Sequence, residues 1–119
     1  MNTEKAELFT PAPEWSGRSD GPGPEHARWH SVINQSTESP APVTLLGFAS
    51  DEGVLRNGGR QGAAAGPAAL RSALGSLAVH HEHALADAGT ITTQADDLDG
   101  SHDALSDKVQ ELVEAGTLP

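Results

Sequence analysis

Residues 43–79, VTLLGFASDEGVLRNGGRQGAAAGPAALRSALGSLAV, hold the transition that decides the fold. The run VTLLGF (43–48) is continuously apolar with β-branched residues at its start, the pattern of a strand covered on both faces of a parallel sheet. Gly53, Gly58, Gly59, Gly62 and Gly66 then break any period, so 49–66 is predicted to be an irregular loop. From Pro67 the pattern turns helical. Leu70, Ala73, Leu74, Leu77 and Ala78 fall at i, i+3, i+4, i+7 and i+8, which predicts one apolar stripe. Pro67 suits a first helical turn, where its missing N–H would have no intrahelical partner anyway.

Working outward, ALADAGTI (84–91) reads as a second, weaker strand. A second helix is predicted after it, with Ser101 as N-cap, Asp103 in the first turn, Leu105, Val109, Leu112 and Val113 as its apolar face, and Gly116 as its stop. The order β–loop–α–β–α is the opening of a parallel α/β sheet. Pro11, Pro13, Pro22, Pro24, Pro40 and Pro42 crowd the N-terminal third, so residues 1–42 are expected to form a mostly irregular arm and 43–119 a partial α/β domain. Two strands with exposed edges invite pairing with other chains. Such a chain should be marginal in isolation unless something completes its sheet.

Composition narrows the function. The 119 residues carry a net charge of −10 with only seven Lys and Arg, which opposes binding to phosphate backbones and anionic membranes. No apolar run approaches the roughly 18 residues of a membrane span. The N-terminus has no secretory apolar segment. Cysteine is absent, so neither disulfides nor thiolate metal sites arise. The expectation is a cytoplasmic protein without nucleic-acid or membrane partners; homo-oligomerisation stays open.

The loop sits at the carboxyl end of the first strand, the edge where open α/β sheets bind ligands. Its glycines match neither a P-loop nor a dinucleotide fingerprint, and they are read as turning the chain into the helix. Arg56, Asn57 and Arg60 crowd the same loop, and a guanidinium suits a carboxylate. The alternative is that Arg56 and Arg60 pair with Asp51 and Glu52 to hold the loop together. His80, His81 and His83 lie beyond the helix, away from the ligand edge, and are read as ordinary exposed residues near a helix end. Asp96, Asp97 and Asp99 are read as a solvated turn. No nucleophile–base set appears, so no catalytic residue is assigned.

The block LLGFASDEGVLRNGGRQGAAAGPAALRSAL resembles the opening of formimidoylglutamases, arginase-like ureohydrolases of histidine breakdown. Trp15-Ser-Gly-Arg18-Ser-Asp20 and Arg28-Trp29-His30 resemble that family's N-terminal motifs, and Asp87-Ala-Gly89 resembles its second strand. The specific part runs from Gly47 to Pro67. Asp51-Glu52-Gly53 with Arg56-Asn57 points to the formimidoylglutamase branch. Thr90 stands where the family usually has another acid.

This resemblance implies the N-terminal β-α-β-α part of a three-layer α/β/α ureohydrolase fold, its sheet incomplete here. It implies a Mn²⁺ pair in the complete enzyme, where metal-activated water hydrolyses N-formimidoyl-L-glutamate to L-glutamate and formamide. Arg60 and Asn57, with Arg56 third, are then expected to face the acidic substrate. The family's metal-ligand motifs (Gly-Gly-Gly-His, Asp-Ala-His-x-Asp and Asp-x-Asp) do not occur in these residues, so no metal ligand is assigned to this chain. The chain is expected to be a fragment cut short by truncation, frameshift or an incomplete gene model, and inactive alone. Two alternatives remain: a non-catalytic interaction module that completes its sheet with a partner chain, and a fragment of an arginase or agmatinase.

Overall fold

A computed structural model of the chain describes residues 8–33, 41–81, 83–93 and 96–119. Parts of the expected arm (1–7 and 34–40) and Glu82 of the histidine-rich run lie outside the described residues. Three strands pair in the order β1 (Phe9–Thr10), β3 (Leu85–Thr92), β2 (Val43–Ala49). β2 and β3 run parallel, and β1 pairs antiparallel with the other edge of β3. The ALADAGTI segment is thus the central strand, buried from Leu85 to Ile91, whereas β2 is mostly half-buried at the sheet edge. Alanines and a glycine look weak as strand formers, but their small size lets neighbouring backbone approach closely.

Four helices complete the described fold: α1 (Trp29–Val32), α2 (Glu52–Arg56), α3 (Gly66–Gly75) and α4 (Leu98–Glu114). Strand alternation sorts them to two faces. Gly47 and Thr90 face α3: a Cβ on Gly47 would meet Thr90 Oγ1 at 2.8 Å and Pro67 Cβ at 3.0 Å. Ile91, Leu46 and Phe48 face the other way and pack with Leu8 against Ala104 and Leu105 of α4. Helices therefore cover both faces of a partial sheet, an N-terminal portion of a three-layer α/β/α arrangement.

Three expectations are corrected. The segment 49–66 is not wholly irregular, since it contains α2 and a 3-10 turn at Ala63–Ala65. Gly58, at φ 71°, ends α2 by supplying the left-handed conformation that reverses the chain. The N-cap of α4 is Asp97, not Ser101. The Asp97 carboxylate accepts the Gly100 N–H at 3.0 Å, while Ser101, one turn later, donates its hydroxyl to the Asp97 carbonyl at 2.7 Å. A carboxylate at the helix start outcompetes a hydroxyl further in. Gly116 does stop the helix, at φ 88°.

The third correction concerns the α3 stripe. Leu70 is 65% exposed, Leu77 52% exposed, and Ala73 and Ala78 are exposed as well. The helix ends at Gly75, before Leu77 and Ala78, and of the expected stripe only Leu74 is half-buried; the side turned to the sheet and arm carries Pro67, Arg71 and Gly75. Full burial of a leucine contributes roughly 1.5–3 kcal/mol, and Leu70 and Leu77 realise only part of that.

The described part of residues 8–33 is short of regular structure yet tied down along its length. The Trp15 indole is buried. Gly17 passes so close to Gly75 that a Cβ there would meet its carbonyl at 2.8 Å. Arg18 N–H donates to Ser76 Oγ at 2.8 Å, Trp29 N–H to the Leu77 carbonyl at 3.0 Å, and Val79 N–H to the Ala27 carbonyl at 3.1 Å. The guanidinia of Arg28 and Arg18 both bind Asp20 and hold its carboxyl below the usual carboxylate range.

Candidate functional site

The parallel pair β2 and β3 brings its carboxyl ends to one edge, where the Thr93 hydroxyl donates to the Ala49 carbonyl at 3.0 Å. The chain leaving β2 there forms the candidate site. Ser50 Oγ accepts the Glu52 N–H at 3.1 Å and starts α2, and Glu52 itself is buried. Gly59 N–H returns to the Val54 carbonyl at 2.8 Å, which closes α2 and sends residues 59–62 outward.

Asp51 organises the far side of this loop. Its Oδ1 accepts the N–H groups of Gly62 at 2.9 Å and Ala64 at 3.1 Å. These backbone bonds, Gly62 first, stabilise the carboxylate and hold Asp51 below its ordinary value. Asp51 therefore caps the turn that leads into α3. The arginines do not neutralise it: among the described residues neither Arg56 nor Arg60 forms an ion pair with Asp51 or Glu52.

Arg56 ends α2, Asn57 follows it, and Arg60 lies three residues on; all three are exposed. One connection thus carries two guanidinia and a carboxamide at the carboxyl edge, while Asp51 of the same connection is occupied by backbone N–H groups. Chemically, this arrangement can receive a carboxylate.

The histidines do not converge. His81 Nδ1 lies 3.1 Å from the His83 carbonyl, and the His81 ring meets Trp29 edge-on at 5.6 Å. Among the described residues, no group of three or more His, Cys, Asp and Glu side chains could hold a metal ion. A manganese pair therefore does not fit the described residues.

Sequence reasoning missed Arg71 altogether. Its Nε and Nη2 donate to the two Asp87 carboxylate oxygens at 2.8 and 2.9 Å, Nη1 donates to Thr90 Oγ1 at 2.6 Å, and Nη2 also reaches the Gly89 carbonyl at 2.7 Å. Trp15 Nε1 and Gly89 N–H supply two further donors to Asp87, at 2.8 and 3.0 Å. Asp87 is fully buried. All its donors are internal, so the cluster locks arm, helix and central strand together and leaves no group for a ligand. The available signal was the lone acid inside an apolar strand, which demands a buried partner. Thr90, where the resemblance leads one to expect an acid, serves here as a neutral acceptor for the same guanidinium.

Comparison with known proteins adds to this geometry. Residues 41–119 match the family model described as arginase family. The chain is 49% identical over 108 residues to a formimidoylglutamase of Corynebacterium efficiens, an alignment covering 88% of this chain and 34% of that protein. It is 45% identical over 111 residues to a Nocardia farcinica formimidoylglutamase, covering 92% and 36%. A Chromobacterium violaceum formimidoylglutamase is 44% identical over 107 residues, covering 88% and 35%. The chain thus spans about a third of the length of the curated relatives it matches, their N-terminal part. No solved structure matches it significantly. No described helix is long and apolar enough to cross a membrane.

Proposed function

This chain belongs to the arginase family, and from that premise we propose that it is the N-terminal portion of a formimidoylglutamase-type hydrolase. The complete enzyme would cleave N-formimidoyl-L-glutamate. Water oxygen adds to the formimidoyl carbon, the bond from that carbon to the glutamate nitrogen breaks, and the nitrogen takes up a proton, giving L-glutamate and formamide. This reading places the protein in the cytoplasm and in histidine breakdown. The Mn²⁺ pair that activates water in it would be held by residues other than the ones described here. The boundary between an arm at 1–42 and a domain at 43–119 is part of the same proposal, and the family match beginning at residue 41 supports it.

The observation that carries the reading is the state of the β2 exit loop. Arg56, Asn57 and Arg60 are exposed there, while Asp51 is engaged by backbone N–H groups. A substrate with two carboxylates suits such a loop, with Arg60 and Asn57 at its glutamate end and Arg56 third. An arginase or agmatinase would need acids for a guanidinium; of the two acids on this loop, Asp51 is committed to backbone N–H groups and Glu52 is buried. The test is Arg60→Ala in a chimera in which this chain replaces the matching part of the Corynebacterium efficiens enzyme. Losing one charge-assisted hydrogen bond, about 1.5–3 kcal/mol, should raise KM some ten- to hundredfold with kcat little changed. An unchanged KM removes Arg60 from the substrate site.

A further inference from the structure

Asn57 and Gly58 adjoin at the C-terminal end of α2, and both are exposed. Among the described residues no hydrogen bond holds the Asn57 carboxamide. Gly58 has no side chain to crowd its own amide nitrogen, and a Cβ built there would meet nothing within 4 Å. Only backbone bonds restrain the pair. Gly58 N–H donates to the Leu55 carbonyl at 3.1 Å, and Asn57 N–H to the Gly53 and Val54 carbonyls, both at 3.2 Å. These bonds close a helix of five residues, and so short a helix has little cooperativity of its own. Its exposed last turn opens at small free-energy cost.

We propose that Asn57-Gly58 is a self-modifying site, at which the loop loses its carboxamide and gains a carboxylate. When the last turn opens, the Gly58 nitrogen attacks Asn57 Cγ. The N–Cγ bond forms, the Cγ–Nδ2 bond breaks, and the proton of the Gly58 nitrogen leaves with Nδ2 as ammonia. The product is a cyclic imide, which water opens at either carbonyl. Attack at Cγ gives aspartate; attack at the backbone carbonyl carbon gives isoaspartate, with the chain running through Cγ. Nearby positive charge favours the deprotonated nitrogen that attacks, and Arg56 and Arg60 stand one residue before Asn57 and two after Gly58. Either product puts a negative charge between the two arginines, whose guanidinia can then pair with it in place of an incoming carboxylate. That last consequence rests on the reading of the loop as the receiver of the substrate's carboxylates; the covalent change does not.

Peptide mass spectrometry of the 119-residue chain and of the chimera, incubated at mildly alkaline pH, tests the site. Asn57 should convert to both aspartate and isoaspartate, at least about tenfold faster than Asn2 and Asn34, which precede Thr3 and Gln35, because only glycine leaves the attacking nitrogen uncrowded. Asn57→Gln should abolish the conversion. Three results would overturn the proposal: Asn57 intact in both proteins under native conditions while it converts in urea, aspartate formed without isoaspartate, or equal rates at the three asparagines. Asn57→Asp in the chimera should raise the KM for N-formimidoyl-L-glutamate about tenfold or more, the worth of a charge-assisted contact. An unchanged KM would contradict the place given to Asn57 in the substrate site and leave the deamidation, read by mass, standing.

Discussion

The Arg71 guanidinium meets the Asp87 carboxylate through two donors, Nε to Oδ2 at 2.8 Å and Nη2 to Oδ1 at 2.9 Å, and Asp87 has no exposed surface. The pair joins α3 to the central strand, and Trp15 brings the arm to the same carboxylate. A buried ion pair adds little net stability over an apolar replacement, but removing one partner strands a charge in a dry site.

Arg71→Met should therefore cost about 3–5 kcal/mol, more than a small α/β unit can spare. Urea unfolding of the chimera should show a lower midpoint, and the isolated chain should lose its cooperative transition. The double variant Arg71→Met/Asp87→Leu should recover part of the loss. Recovery would identify the stranded carboxylate, rather than lost packing, as the main cost.

Gly89 holds φ 116° beside the arm, and a Cβ there would collide with the Thr10 carbonyl and come within 3.0 Å of Ala12 N. Gly89→Ala should cost roughly 1–3 kcal/mol in backbone strain and push β1 off the edge of β3. Limited proteolysis should then cut near residues 8–14 at a rate well above that of the parent chain. Gly53→Ala is the control: its φ is ordinary and a Cβ there meets nothing, so cleavage should not change.

The Asp51 carboxylate is held below its ordinary value near 3.8, first by the Gly62 N–H and then by that of Ala64. With the folded value depressed, its stabilising effect on the loop is complete above the unfolded pKa and is lost as pH falls through the folded one. The Gly62 and Ala64 amide shifts should titrate together with a midpoint below 3.8, and Asp51→Asn should abolish that step. A midpoint at or above the ordinary value would mean that Asp51 does not cap the turn.

Much of this fold was legible because its signals were local. The apolar run at 43–48, the Gly66-Pro67 helix start and Gly116 each report on their own neighbourhood, and β2, α3 and the end of α4 lie where those residues put them. Non-local contacts were hidden. Burial of the alanine-rich segment at 85–91 depends on β1 and the arm arriving from about 80 residues away, and the Asp87 partnership joins positions 15, 71 and 87. Asp97 was read as solvated, although one backbone N–H three residues on makes it a cap. The α3 stripe was extended to Ala78, whereas the helix ends at Gly75 and leaves Leu70 exposed, because helical periodicity reports neither where the chain leaves the helix nor which side a neighbour covers. At the candidate site, the crowding of Arg56, Asn57 and Arg60 was visible in the sequence. The commitment of Asp51 to backbone N–H groups was not, because it depends on the return of the chain at residues 62–64.

The most direct measurement of the central claim is the product released by the chimera joining these 119 residues to the remainder of the Corynebacterium efficiens enzyme. Supplied with Mn²⁺ and offered N-formimidoyl-L-glutamate, arginine and agmatine in parallel, it should release formamide and L-glutamate from the first and no urea from the other two. Urea release, or no turnover by a folded chimera, would contradict the account.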